Sequence, residues 1–209
     1  MKVIDLGLSN YRDCYNLQKR LLNEIKNNGA EDHIIVTEHL PVITIGRIGS
    51  RKNLLVSEEF LQSKHIEVVE VDRGGDITYH GPGQIILYSI INLKNYFKDI
   101  HKYLHRLEDI VISLLQENNI KGFKVEKKTG VWTNGGKIAS IGIGVSGWVT
   151  FHGLALNVDC DLTPFRWINP CGFKDIKITS MKKLTNAKID NELIKERLID
   201  GFRNTFRGA

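Results

Sequence analysis

Long apolar runs are missing from this chain: no stretch approaches the roughly 18 consecutive apolar residues that a membrane-spanning helix needs. The N-terminus, MKVIDLGLSN, lacks the basic-then-apolar order of a signal peptide, so the expectation is a soluble, cytoplasmic protein with no membrane partner. Cysteine is scarce. The three present, Cys14, Cys160 and Cys171, are odd in number and widely spaced, which fits neither a disulfide framework nor the paired cysteines of a zinc site. Each thiol has to be judged on its own surroundings. Low-complexity linkers and internal repeats are also lacking, so nothing in the sequence divides residues 1–209 into more than one domain.

What is present is ordinary globular composition: 209 residues, 42% hydrophobic and 25% charged, enough for one substantial core and too apolar for disorder. The net charge of +5 suits nucleic acid or an acidic protein met by electrostatic steering. The basic residues fall in short pairs such as Lys127-Lys128 and Lys182-Lys183, without a long basic run or an aromatic-rich signature beside them. That pattern argues against nucleic acid.

Periodicity sets the elements. Lys2–Leu8 reads as a strand, followed by an amphipathic helix with Cys14, Leu17, Leu21, Leu22 and Ile25 on one face and Gly29 at its end. Cys14 on that stripe reads as packing. Strands are expected at His33–Thr37, Val42–Ile45, Ile66–Val71 and Gln84–Leu93, with a short helix capped by Ser57. Apolar residues from Ile100 to Leu115 recur at helical spacing and mark the main core helix. Val131–Thr133 and Lys137–Ile143 flank Asn134-Gly135-Gly136, a hairpin turn. Trp148–Val158 reads as a strand, and Leu193, Ile194, Leu198, Ile199 and Phe202 as a closing helix. The fold class is therefore α+β, one domain with a mixed, mainly antiparallel sheet flanked by helices.

The densest unusual segment runs from Arg73 to Gln84, with four glycines and a proline directly before a buried strand. Glycines let the backbone approach a ligand closely, and Arg73 and His80 offer polar contacts; the alternative is a long structural loop tied down by His80. Gly142-Ile143-Gly144-Val145-Ser146-Gly147 matches a dinucleotide fingerprint letter for letter, but the residues after it read as strand where that fingerprint opens a helix. Lys137 begins an otherwise apolar strand and is either a solvated edge residue or a placed catalytic amine. Cys160, between Asp159 and Asp161, would have its thiolate disfavoured. Cys171, in the aperiodic loop Ile168-Asn169-Pro170-Cys171-Gly172, is the best candidate thiol.

Four segments in order resemble the lipoyl(octanoyl) transferase family: Glu38–Arg47, Arg73–Gln84, Gly136–Gly142, and Phe151–Asn157 running on to Asn169–Gly172. Together they span most of the chain, and the interval from Lys137 to Cys171 matches that family's pattern. The resemblance implies the biotin/lipoate protein ligase catalytic-domain fold and an acyltransferase that moves octanoyl from acyl carrier protein to the lipoyl domains of 2-oxoacid dehydrogenases and of the glycine cleavage H protein. It implies that Cys171 holds the acyl group as a thioester and that Lys137 lowers its pKa. Arg73, Gly74, Gly75, Asp76, Ile77, Thr78, Tyr79, His80, Ser140, Ile141, Gly142, Gly153, Leu154 and Ala155 would line the acyl and pantetheine pocket, with His39 and His80 orienting the pocket or Lys137. Gly147 departs from the family, whose members often carry a basic residue there, and puts a carrier-protein contact in doubt.

The chemistry of that pair is independent of the name. A thiol of pKa about 8.5 is a few per cent thiolate at neutral pH, and a neighbouring ammonium favours the charged form. Acyl transfer from a thioester needs no ATP, and the histidines show no metal-ligand spacing, so no cofactor or metal is expected. The competing functions are an ATP-dependent lipoate or biotin ligase, which needs no cysteine; a non-catalytic acyl-carrier-binding module; and a cysteine thioesterase.

Overall fold

The computed structural model describes residues 1–170, 176–187 and 189–207. Its elements in order are β1 (Lys2–Ser9), α1 (Tyr11–Asn28), β2 (His33–His39), β3 (Val42–Ile45), α2 (Glu58–Ser63), β4 (Glu67–Glu70), β5 (Ile77–His80), β6 (Gln84–Ile90), α3 (Ile100–Glu117), β7 (Phe123–Val125), β8 (Lys128–Thr133), β9 (Gly136–Ser146), β10 (Val149–Asn157), α4 (Met181–Thr185) and α5 (Asn191–Thr205). Seven strands form one sheet in the order β1-β2-β6-β10-β9-β8-β7, and three form a second, β4-β3-β5. Among the paired strands of the described residues, β1/β2 and β3/β4 are parallel and the rest antiparallel, so the mixed, mainly antiparallel α+β architecture is as expected.

The central strands are apolar on both faces because both faces are covered. Along β2 and β6, Ile34, Val36, Ile85 and Leu87 pack with α3 and α5, whereas Ile35, Ile86 and Tyr88 pack with Cys14, Leu21, Leu22 and Ile25 of α1. Each such aliphatic side chain contributes about 1.5–3 kcal/mol when withdrawn from water. Asn10 caps α1 by accepting from the Arg12 N–H, and Gly29 ends it at a φ of 65°. The small sheet and α2 enclose their own core around Ile43, Leu61, Tyr79 and Phe165. No helix among the described residues is long and apolar enough to cross a membrane.

Three differences from the sequence reading bear on the site. The strand expected to reach Leu93 stops at Ile90, because the Asn92 side chain accepts from the Lys94 N–H and starts a 3-10 turn. The strand expected from Trp148 begins at Val149; Gly147 and Trp148, at φ 61° and 71°, form the tight β9–β10 turn. Most consequentially, Ile77–His80 in the glycine-rich segment is strand β5, paired with β3 through Ile43↔Tyr79 and Thr44↔Thr78. Its polar residues concealed that ladder.

Candidate active site

A cavity of about 280 Å³ opens where the two sheets meet. Its walls come from β5, β6, β8, β9, β10 and Tyr11 of α1, with the Arg73–Asp76 segment beside them. That segment is joined to the large sheet by the Gly74 N–H donating to the Ile143 carbonyl at 2.7 Å. The approach requires a glycine at 142, where a Cβ would stand 2.7 Å from the Gly74 oxygen. Arg73, 8% exposed, donates to the Thr44 carbonyl and hydroxyl at 2.8 and 2.9 Å, so its guanidinium fastens the segment to β3.

Lys137 owes its direction to a bulge. Val131 opposes Ala139 but Trp132 opposes Lys137, so one extra residue sits in β9 and resets the alternation of side chains. The lysine is 4% exposed, with Nζ 5.6 Å from the centroid of the Trp132 ring. Gly130, at a φ of 123°, provides its slot, for a Cβ there would lie 2.6 Å from Lys137 Cε. The Gly130 N–H is in turn held by Glu108 Oε1 at 3.0 Å, a buried carboxylate on α3. On its outer side, Lys137 donates its N–H to the Lys177 carbonyl at 2.8 Å and accepts from the Thr179 N–H at 3.0 Å.

The inner wall is a cluster of aromatic rings and histidines. His39 Nε2 lies 2.9 Å from the Tyr88 hydroxyl, and the His39 ring meets those of Tyr11 and His80 edge-on. His80 Nδ1 is 2.6 Å from Gln84 Oε1, and Gln84 Nε2 donates to Asn157 Oδ1, which makes the Gln84 oxygen the acceptor and Nδ1 the donor. Burial lowers the pKa of His39 to about 4 and that of His80 to about 3, so both are neutral at physiological pH. His152 Nε2 lies 3.1 Å from Asp72 Oδ1, which also accepts from the Tyr15 hydroxyl.

Of the pocket residues expected from sequence, Arg73, Gly74, Gly75, Asp76, Ile77, Thr78, His80, Lys137, Ser140, Ile141, Gly142, Gly153, Leu154 and Ala155 line this one cavity. Tyr79 does not: alternation along β5 sends it into the small-sheet core, edge-on to Phe165 at 5.5 Å. His39 lies behind Tyr88 rather than in the wall. Cys171 and Gly172 fall outside the described residues. Cys14 and Cys160 are buried, and burial pushes each thiol up to about 12, reinforced at Cys160 by Asp161 and Asp159. No group of three or more metal-binding side chains occurs among the described residues. The glycines of 142–147 lie in a β hairpin, as their sequence context indicated.

Sequence reasoning missed Tyr11, Ile86, Tyr88, Trp132 and His152 in the wall, and Asp72, Glu108 and Gly130 behind it. Ile86 and Tyr88 share one face of β6, but that strand is apolar on both faces, so its sequence did not say which face meets the cavity; the others depend on tertiary approach. Beside Gly147, Lys26 of α1 donates from Nζ to Ser146 Oγ at 3.1 Å, and its stem runs within 3.1 Å of where a Cβ at 147 would be.

The family model for the lipoyl protein ligase A/B catalytic domain matches residues 10–203. An octanoyltransferase of Syntrophotalea carbinolica is 41% identical over 207 residues, covering 99% of this chain and 95% of its own. An octanoyltransferase of Caldicellulosiruptor saccharolyticus is 43% identical over 208 residues, covering 99% and 88%. Among solved structures, a bipartite lipoate protein ligase from Thermoplasma acidophilum superposes with a TM-score of 0.74 over 98% of this chain and 82% of that one, at 14% identity, a likeness of fold alone.

Proposed function

The chain belongs to the lipoyl protein ligase A/B catalytic-domain family, and we propose that it transfers an octanoyl group from acyl carrier protein, through a thioester on Cys171, to the lysine of lipoyl domains. It is an acyltransferase, as its octanoyltransferase relatives indicate. Cys171 attacks the incoming thioester carbonyl as the thiolate, the tetrahedral intermediate expels the pantetheine sulfur, and Lys137 returns a proton to that leaving group. In the second half, the neutral amine of the acceptor lysine attacks the acyl-enzyme. Lys137 takes the amine proton, the Cys171 thiolate leaves, and the more stable amide remains. The acyl donor arrives activated, so neither ATP nor a metal takes part.

The observation that carries this reading is the burial of Lys137 on its bulge beside Trp132, with its backbone zipped to Lys177 and Thr179. Support also comes from the chain on either side of Cys171. Before it, the Asn169 N–H donates to the Asn53 carbonyl at 2.8 Å; after it, Ile176 lines the cavity. The two described thiols are raised to about 12 and offer no competing nucleophile. The acyl chain would run along Ile86, Leu154 and Ala155, and the lipoyl domains of 2-oxoacid dehydrogenases and of the glycine cleavage H protein would be the acceptors.

The test is intact mass after incubation with octanoyl-loaded acyl carrier protein, without acceptor or ATP. An octanoyl increment on the wild type and none on Cys171→Ser is expected. Absence of the adduct, together with ATP-dependent transfer from free octanoate, would replace this reading with a ligase.

A further inference from the structure

Ile48 is 78% exposed, more than any other large aliphatic or aromatic side chain among the described residues, and it stands at the cavity mouth. Its turn is not loose. The Arg47 N–H donates to the Arg73 carbonyl at 3.0 Å, Arg47 Nε to the Asp72 carbonyl at 2.7 Å, and Asn53 Nδ2 to Asp76 Oδ2 at 2.7 Å. A backbone so firmly tied presents an isoleucine to water without any internal packing use.

Exposed cations stand around it, beside acids that are already engaged. Arg47 is exposed on this turn and Lys52 on the 3-10 turn Arg51–Asn53 that follows it, whereas Arg51 is engaged by Glu58 and Glu70. Across the mouth, Lys127 and Lys128 begin the return of the β7–β8 hairpin and line the same opening. Of the nearby acids, Asp76 is occupied by Asn53 and Ser50, and Glu126 lies 3.8 Å from Lys127. An apolar anchor ringed by cations fits an acidic surface with an apolar spot.

We propose that this rim, with Ile48 as anchor and Arg47, Lys52 and Lys127 as steering charges, is the docking face for an acidic carrier protein that delivers the acyl group on its phosphopantetheine arm. The proposal rests on the transfer reaction above. A carrier is favoured over the acceptor because the arm brings a phosphodiester anion into a basic mouth, whereas the acceptor inserts a lysine, which the same cations repel.

The test measures single-turnover acylation of the full-length enzyme by octanoyl-loaded carrier protein and by octanoyl-pantetheine, which has no protein body. With Arg47→Glu/Lys52→Glu, the concentration of carrier needed for half-maximal rate rises about tenfold at low ionic strength, and the gap narrows with added salt. Octanoyl-pantetheine acylates this variant as it does the wild type. Ile48→Asp slows the carrier-borne donor more than octanoyl-pantetheine. Equal losses on both donors, or no change with the carrier, would overturn the proposal. So would unchanged acylation with slowed transfer to a lipoyl domain, which would give the face to the acceptor. A wild type acylated by neither donor would instead overturn the acyl-enzyme reaction itself.

Discussion

His152 Nε2 stands 3.1 Å from Asp72 Oδ1, an imidazole 1% exposed against a carboxylate 37% exposed. Burial opposes the charge on Asp72, but bonds from His152, Lys19 and Tyr15 outweigh it and hold the carboxyl well below the usual carboxylate range. Burial also lowers the pKa of His152, so a neutral ring donates from Nε2 to an ionised partner. Asp72→Asn removes that charge and should cost about 1 kcal/mol at pH 7 once solvent screening is allowed for. A depressed carboxylate contributes its stability above the unfolded pKa and loses it as pH falls toward the folded value. The penalty should therefore shrink below about pH 4. Urea unfolding of both proteins at pH 7 and pH 3 checks this; a constant difference would contradict it.

The buried histidines act at higher pH. His39 and His80 have pKa values lowered to about 4 and about 3, chiefly by burial. The unfolded chain takes up protons on these rings below about pH 6.5, and the native protein does not until near those lower values. Stability should fall as pH drops from 6.5 toward 4, by about 1.4 kcal/mol per pH unit for each fully titrating ring. Denaturant midpoints between pH 7.5 and 5 would show the slope, and His39→Gln should flatten it. A wild-type slope of zero would mean that the rings titrate normally.

These two cases show what the sequence could and could not disclose. The Arg73–His80 segment stood out because glycine, histidine and arginine crowded before a buried strand have few structural uses, whereas His39 came only from the family resemblance. α1 and α3 were legible from period alone. Asp72 and His152 are 80 residues apart and become partners only through tertiary approach, so no local pattern joins them. The small sheet itself was hidden because β5 is four residues long and half polar, and its ladder partner β3 precedes it by a helix and a strand. The bulge that turns Lys137 inward leaves no mark in composition. A lysine opening an apolar strand reads equally well as a solvated edge.

The slot at Gly130 offers a direct probe of lysine placement. A Cβ there would meet Lys137 Cε and the Ala139 carbonyl, each at 2.6 Å, and the φ of 123° is strained for an alanine. Gly130→Ala should cost about 1–3 kcal/mol of stability from the backbone alone. It should also slow octanoyl-enzyme formation by at least about tenfold at saturating donor, because small displacements of a catalytic group are costly. Stopped-flow acylation beside thermal unfolding separates the two effects. Reduced stability with an unchanged acylation rate would show that Lys137 tolerates displacement.

The depth of the cavity sets the last expectation. Ala155 lines it at 4% exposure and packs with Ile86 and Tyr88, whereas Ile48 of the same lining is 78% exposed. The Tyr88 hydroxyl is fixed against His39, so this inner wall cannot easily retreat. Ala155→Leu places three more carbons there, at an overpacking cost of about 1–3 kcal/mol. If the acyl chain runs to this wall, two of its methylenes lose their burial, worth roughly 0.8 kcal/mol each. Relative kcat/KM should then shift from octanoyl toward hexanoyl donors by roughly tenfold, since about 1.4 kcal/mol corresponds to one decade. Competition between hexanoyl- and octanoyl-pantetheine, read by intact mass of the acyl-enzyme, measures the ratio without a carrier protein. An unchanged ratio in a variant of intact stability would place the chain terminus elsewhere, along Leu154 or beneath Tyr11.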